Sequence, residues 1–119
     1  MSFDPATLRY DANGLIPCIA QDHASGEVLM FAWMNAQSLA LTLASGKMTY
    51  WSRSRAALWS KGETSGHAQR LVELRIDCDR DCLLARVDQT GPACHTNRRS
   101  CFYTAVRDGV QIEILSPEP

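Results

Sequence analysis

The 119-residue chain has almost no net charge: twelve lysines and arginines face thirteen aspartates and glutamates, for a formal −1. No overall basic field therefore draws it toward nucleic acid. Long apolar runs are missing too. None approaches the roughly 20 residues needed to cross a bilayer, so no membrane partner is expected. The N-terminus, MSFDPATLRYDANG, lacks a basic region followed by an apolar core and does not read as a secretory signal. The expected location is cytoplasmic. There is no repeat, low-complexity tract or interdomain linker. No Cys-x-x-Cys occurs, which excludes a zinc ribbon and a thioredoxin-type redox pair. The five cysteines are an odd number, so a complete disulfide framework within one chain is impossible. Cytosolic thiols are mostly reduced, which favours metal-binding or catalytic roles for them.

What is present reads as one folded domain over residues 1–119. The hydrophobic fraction of 45% supports a real but modest core, and the 21% charged fraction argues against disorder. Leu15–Gln21 and Glu27–Met34 read as strands around a turn at Asp22–Gly26. Asn35 can cap a helix over Ala36–Ala44 that Gly46 ends, with Leu39 and Leu43 on its buried side. Lys47–Ser54 is β-rich, and Arg55–His67 reads as a polar loop. Leu71–Cys78 alternates, placing Val72, Leu74, Ile76 and Cys78 on one face. Leu83–Gln89 is the next strand. Cys101–Val106 and Val110–Leu115 flank Arg107-Asp108-Gly109, the strongest hairpin signal in the chain. The terminal SPEP is expected to fray. About six strands and one helix predict a sheet-dominated α+β domain.

Chemistry concentrates in Asp77–Tyr103, DCDRDCLLARVDQTGPACHTNRRSCFY, which holds four of the five cysteines. Cys78, Cys94 and Cys101 suit a zinc site with three protein ligands and one open position. The alternative is three small buried hydrophobes, which fits Cys18 and Cys82 better. Cys94 lies in a polar loop that offers no core to fill. His95, beside it, can be a fourth ligand that closes the site, a general base at an open one, or a surface histidine. Three thiolates lower the pKa of a zinc-bound water less than three imidazoles would, so a base is useful there. Asp77, Asp79 and Asp81 alternate. On extended backbone all three carboxylates point to one side, as a hard cation such as Mg²⁺ requires. A solvated turn with Arg80 balancing some of the charge is the plainer alternative.

A third constellation runs from Trp51, Ser52 and Arg53 through Lys61 to Thr64, Ser65 and His67. Arginine forks match phosphate oxygens, lysine supplies a point charge, and Gly62 and Gly66 let backbone N–H groups approach an anion. Tryptophan offers a stacking face for a base. Together with Arg98 and Arg99, these residues suit a small ligand with two anionic ends. An ordinary basic loop with its tryptophans in the core is the alternative.

The blocks TYWSRSRAALWSKGETSG (Thr49–Gly66), DCDRD (Asp77–Asp81) and GPACHTNRRSCFY (Gly91–Tyr103) closely resemble phosphoribosyl-AMP cyclohydrolase, an enzyme of histidine biosynthesis. The resemblance runs from about Val28 to Tyr103, and three ordered blocks are far more specific than any one. It implies a small mixed sheet curled into a pseudo-barrel under a covering helix, in an intertwined homodimer. It also implies hydrolytic opening of the purine N1–C6 bond of 1-(5-phosphoribosyl)-AMP. Zinc would be shared between subunits, held by Cys78 of one and by Cys94 and Cys101 of the other. Asp77, Asp79 and Asp81 match the family's Mg²⁺ motif, and His95 its base. Phosphates would lie on Arg53, Lys61 and Arg98, with Thr64 and Ser65 donating hydrogen bonds and Trp51 and Ser52 completing the substrate site. Asn97 stands where glycine is common, and asparagine tolerates the left-handed backbone. Cys82 stands where a small residue is usual and is a competing thiol. Two rival classes are a zinc-dependent nucleobase deaminase and a zinc-stabilised binding module. The deaminase signature, His-x-Glu followed by Pro-Cys-x-x-Cys, is absent.

Overall fold

Strict alternation builds the centre of the sheet. The computed structural model describes residues 1–119. In β1 (Ile16–Asp22) and β6 (Leu83–Gln89) every second residue is buried. The two strands run parallel, with Cys18 opposite Leu83 and Ala20 opposite Ala85, so their apolar faces coincide. β2 (Val28–Met34) pairs antiparallel with β1, β3 (Thr49–Ser52) with β2, β4 (Ala57–Ser60) with β3, and β5 (Gln69–Ile76) with β6. The resulting order is β4-β3-β2-β1-β6-β5, a mixed six-stranded sheet. Ile16, Cys18, Ala20, Leu29, Met34, Leu83, Ala85 and Val87 fill its concave side.

The sheet curls until the segment leading into β3 meets the edge strand β5. Met48 N–H donates to Gln69 C=O at 3.0 Å and Leu71 N–H to Gly46 C=O at 2.8 Å, around a bridge between Lys47 and Arg70. Inside this seam the fully buried Tyr50 hydroxyl donates to Gln69 Oε1 at 2.6 Å, and Gln69 Nε2 reaches Met30 Sδ at 3.2 Å. A buried hydroxyl left without a partner would cost about 1–3 kcal/mol, so this bond permits tyrosine in the core and ties β3 to β5.

The covering helix α1 (Ala36–Ser45) begins and ends where its capping residues require. Asn35 Oδ1 accepts from Ser38 N–H at 2.8 Å while Ser38 Oγ accepts from Asn35 N–H at 2.9 Å, a reciprocal cap worth about 1 kcal/mol. Gly46, at φ 76°, stops it. Its buried strip is Ser38, Leu39 and Thr42, whereas the expected Leu43 is 41% exposed. Thr42 takes the inner position because its hydroxyl accepts from Thr49 N–H at 2.9 Å, joining helix to β3.

Other expectations are corrected. The polar loop over Arg55–His67 contains β4, whose Trp59 ring packs 5.2 Å from Tyr50. A bulge at Val72 breaks the alternation of β5 and leaves Val72 46% exposed. That strand ends at Ile76, so Cys78 lies on a turn and not on the strand face expected. β7 (Thr104–Arg107) and β8 (Val110–Glu113) form a separate hairpin, bringing the strands to eight. Its turn residues Asp108 and Gly109 both take positive φ, as expected of Asp-Gly. The SPEP tail does not fray: Glu118 N–H donates to Asn97 C=O at 2.8 Å. No helix is long and apolar enough to cross a membrane.

Candidate active site at the thiol loop

After β6 the chain turns at Gly91 into a loop with little regular structure, fixed by side-chain and backbone bonds to β2. Cys101 N–H donates to Leu29 C=O at 2.7 Å, and Ser100 Oγ to Val28 C=O at 2.7 Å. Arg99 pairs with Asp22 at 3.0 Å, stapling the loop to the end of β1. Hydrogen bonds from Ser25 and the charge of Arg99 hold the Asp22 carboxyl below its ordinary range. Within the loop, Asn97 N–H closes a turn on Cys94 C=O at 3.0 Å, and Asn97 sits at φ 66°. The left-handed conformation expected there is present, carried by a residue that tolerates it.

This folding brings Cys94 and Cys101 together. Cys94 is 6% exposed, and its Sγ lies 3.0 Å from Thr96 Oγ1. Burial raises the Cys94 thiol, but hydrogen bonds from Thr96 and Cys101 and the charge of Lys61 outweigh it and hold the thiol below its ordinary value. Desolvation and the neighbouring Cys94 push Cys101 up to about 11. The two sulfurs thus behave as an unequal pair, one ready to ionise before the other. Lys61 reaches the same place from the end of β4: its Nζ donates to Ala93 C=O at 2.5 Å and sits 5.7 Å from the Trp59 ring centre. Desolvation lowers its pKa, against an opposing pull from Cys101 and Cys94.

Cys78 is elsewhere, exposed on the turn after β5. The one group of three or more potential ligands that converges within this chain is Asp77, Asp79 and Asp81, whose carboxylate oxygens lie within 4.8 Å of one another. A turn brings them together, not the extended backbone expected. Asp77 Oδ1 accepts from Asp81 N–H at 3.0 Å and Cys82 N–H at 3.1 Å, and Arg80 takes φ 63°. Arg80 does not balance the charge; its guanidinium turns away to Thr7 Oγ1 at 2.6 Å. Desolvation opposes the lowering of Asp77, but bonds from Asp81 and from the Cys82 backbone prevail. The hydrogen-bonded Asp77 and Asp79 raise Asp81. Cys82 lies beside this acidic group, away from Cys94, and its thiol is raised by burial and by the aspartates.

Two adjoining cavities open at the thiol loop. One, of about 300 Å³, is walled by Lys61, Ser65, His67, Cys94 and His95 among others. The second, of about 190 Å³, shares Lys61 and Ser65 and adds Arg55, Trp59 and Thr64. Of the other expected substrate residues, Trp51 pairs with Leu58 and Ser52 ends β3. Arg53 lies over Trp33 at 4.6 Å. All three are outside these cavities in the single chain. Arg98 is already engaged: it pairs with Glu113, donates to Leu115 C=O at 2.9 Å and stacks on Tyr103 at 4.1 Å. Arg55 and His67 belonged to the third constellation by sequence but were assigned no individual role. Their signal was membership of the same cation- and glycine-bearing block.

The family model for phosphoribosyl-AMP cyclohydrolase matches residues 30–103, which take in Lys61, the acidic turn and the whole thiol loop. The chain belongs to the phosphoribosyl-AMP cyclohydrolase family. It is 73% identical over 116 residues to the phosphoribosyl-AMP cyclohydrolase of Jannaschia sp. (strain CCS1), covering 98% of each chain. It is 72% identical over 116 residues to that of Paracoccus denitrificans (strain Pd 1222), covering 98% of this chain and 96% of the relative. It is 71% identical over 117 residues to that of Cereibacter sphaeroides (strain KD131 / KCTC 12085), again covering 98% of both. Membership makes the chain a hydrolase of the cyclohydrolase type, and the thiol loop with its cavities is the candidate centre.

Proposed function

We propose that this chain opens the six-membered ring of 1-(5-phosphoribosyl)-AMP by adding water across the N1–C6 bond, a step of histidine biosynthesis in the cytoplasm. The observation that carries the reading is the junction of Cys94, Lys61 and His95 around one cavity, with Cys101 beside Cys94, in a chain of this family. Phosphoribose on N1 leaves C6 amidinium-like and already electrophilic, so a base and a held water suffice to begin the addition. His95 is exposed at the cavity rim and adjoins Cys94, placing it to take a proton from that water.

The donor set fits zinc. Two sulfurs meet, one of them held in reach of its thiolate form, as a soft-ligand zinc site needs. Cys78 lies apart in this chain, so a three-sulfur site requires Cys78 of a second copy. Phe102, Val106, Val110 and Ile112 are exposed beside the loop and offer that copy an apolar face in a homodimer. Zinc bound there would supply Lewis acidity and a water of lowered pKa. The acidic turn, rich in oxygen and open to solvent, fits Mg²⁺. Phosphate recognition falls to Lys61 and Ser65 at the shared cavity wall and to Thr64 beside them. Arg53 and Arg98, with Trp51 and Ser52, serve the other end of the substrate. A phosphate there has to compete with Glu113 for Arg98.

Metal analysis of the purified chain, paired with an ultraviolet assay of ring opening, tests this reading. It expects about one zinc per chain and turnover that a chelator abolishes and zinc restores. Turnover indifferent to complete zinc removal, or ammonia release in place of ring opening, would overturn it.

A further inference from the structure

The cavity at the thiol loop holds a second imidazole, that of His67. Its backbone is pinned on both sides. His67 N–H donates to Ser65 Oγ at 3.2 Å, and its carbonyl accepts from Gln89 Nε2 at 3.1 Å. Gln89 is itself only 7% exposed and also donates to Thr90 C=O at 3.1 Å. The His67 ring packs onto the backbone of Gly91. A methyl group at position 91 would lie 2.7 Å from His67 Cδ2 and 3.2 Å from Nε2, and Gly91 holds φ 69°. The thiol loop therefore leaves a berth that this ring occupies. His67 makes its hydrogen bonds through its backbone, and neither ring nitrogen is hydrogen-bonded within the chain.

We propose that His67 is the proton donor to the departing ring nitrogen, in the cavity it shares with His95. The proposal rests on the ring-opening reading above. That reaction needs proton transfer at two atoms on different sides of the breaking bond. With the substrate as its amidinium, the oxygen of water bonds to C6 and one water proton passes to His95. The C6–N1 bond then breaks with its electron pair leaving on N1. N1 takes the proton of the His67 imidazolium. The hydroxyl at C6 becomes a carbonyl, and its proton returns to His67. His95 releases its proton to solvent. One water has been added across C6–N1, and both histidines are reset. The charged and titratable groups sharing the cavity with His67 are Lys61, Cys94 and His95.

The test is His67→Asn and His67→Gln in the zinc-loaded protein, following ring opening across pH together with zinc content and melting temperature. The expected result is unchanged zinc and melting, KM within about threefold and kcat lower by roughly 10²-fold or more. The alkaline fall of the kcat profile, which reports loss of the donor's proton, should also disappear. A kcat within about threefold of wild type, or a reduced kcat that keeps the alkaline fall, overturns the proposal. If both variants lose zinc or unfold, His67→Ala with added imidazole decides. Rescue that rises with imidazolium concentration supports the donor role, and no rescue overturns it. A wild-type chain that opens no ring removes the underlying reading and this proposal with it, and so is distinguishable from a failure of His67 alone.

Discussion

The acidic turn at Asp77–Asp81 and the thiol loop at Cys94–Cys101 both gather metal-binding side chains, and they do so in opposite ways. The turn draws all its donors from five successive residues and completes its cluster inside one chain, in full contact with water. The loop buries Cys94, sets it against Cys101 seven residues on, and borrows Lys61 from the end of β4 to hold the neighbouring Ala93 carbonyl. Even so it gathers only two of the three sulfurs that the proposed zinc site needs. Hard oxygen donors near one another in sequence need only a turn. A soft site with tuned thiols needs β2, β4 and β6 in place first, and under the proposed reading a second copy as well. Under the proposed reading the loop is therefore where chemistry and fold are coupled, and the turn is where a cation would come and go.

Substitutions that separate the two regions should differ most in size. Cys94→Ser or Cys101→Ser should lose zinc and ring opening together, down to background, while Asp79→Asn keeps zinc and weakens only the response to Mg²⁺. Metal analysis beside the ultraviolet assay checks both. Equal loss of zinc in the aspartate variant would erase the distinction drawn between the regions.

Next in size is His95→Ala. It should fold, hold zinc and lose kcat by roughly 10²–10⁴-fold, the range for removing a general base. An unfolded, zinc-free His95→Ala would instead mark His95 as the ligand that closes a structural site. Circular dichroism and zinc content decide between the two.

The smallest effect concerns the turn. Asp81 has a raised pKa in the folded chain, so its stabilising contribution is full below the unfolded carboxylate value, near 4, and is lost as pH rises through the folded value. Asp77, lowered, does the reverse: its contribution is present above the unfolded value and is lost as pH falls through the folded one. Without divalent cations, Asp81→Asn should therefore melt slightly higher than wild type at neutral pH, and the gain should vanish in acid. A melting temperature for Asp81→Asn that is lower at neutral pH would contradict this ordering of the pair.

Much of the fold was legible because its signals are local. Asn35 and Gly46 bound the helix, and Asp108-Gly109 sets the hairpin, through conformations those residues adopt readily. β4 was missed because its apolar residues follow a polar turn that reaches positive φ at Ala56, with no glycine to announce it. The bulge at Val72 leaves no mark on an alternating pattern. Closure of the sheet rests on Tyr50 finding Gln69, and the diversion of Arg80 on Thr7, 73 residues away. Neither partnership follows from spacing. In the site, the cysteine set and the candidate roles of His95 were read from residue types and spacing, and family resemblance added the sharing between subunits and the choice of base, whereas the bond of Lys61 to the Ala93 carbonyl beside Cys94 and the berth of His67 on Gly91 belong to the fold alone.

The central claim is that Cys94 and Cys101 of one chain share a zinc ion with Cys78 of another. Mixing inactive Cys78→Ser chains with inactive Cys94→Ser chains tests it most directly, because only a mixed dimer reunites one complete set. The account predicts that zinc and ring opening return together, toward half the wild-type level per mixed dimer. Mixed dimers that form but stay without zinc and without activity, or a Cys78→Ser protein that keeps full zinc by itself, would contradict it.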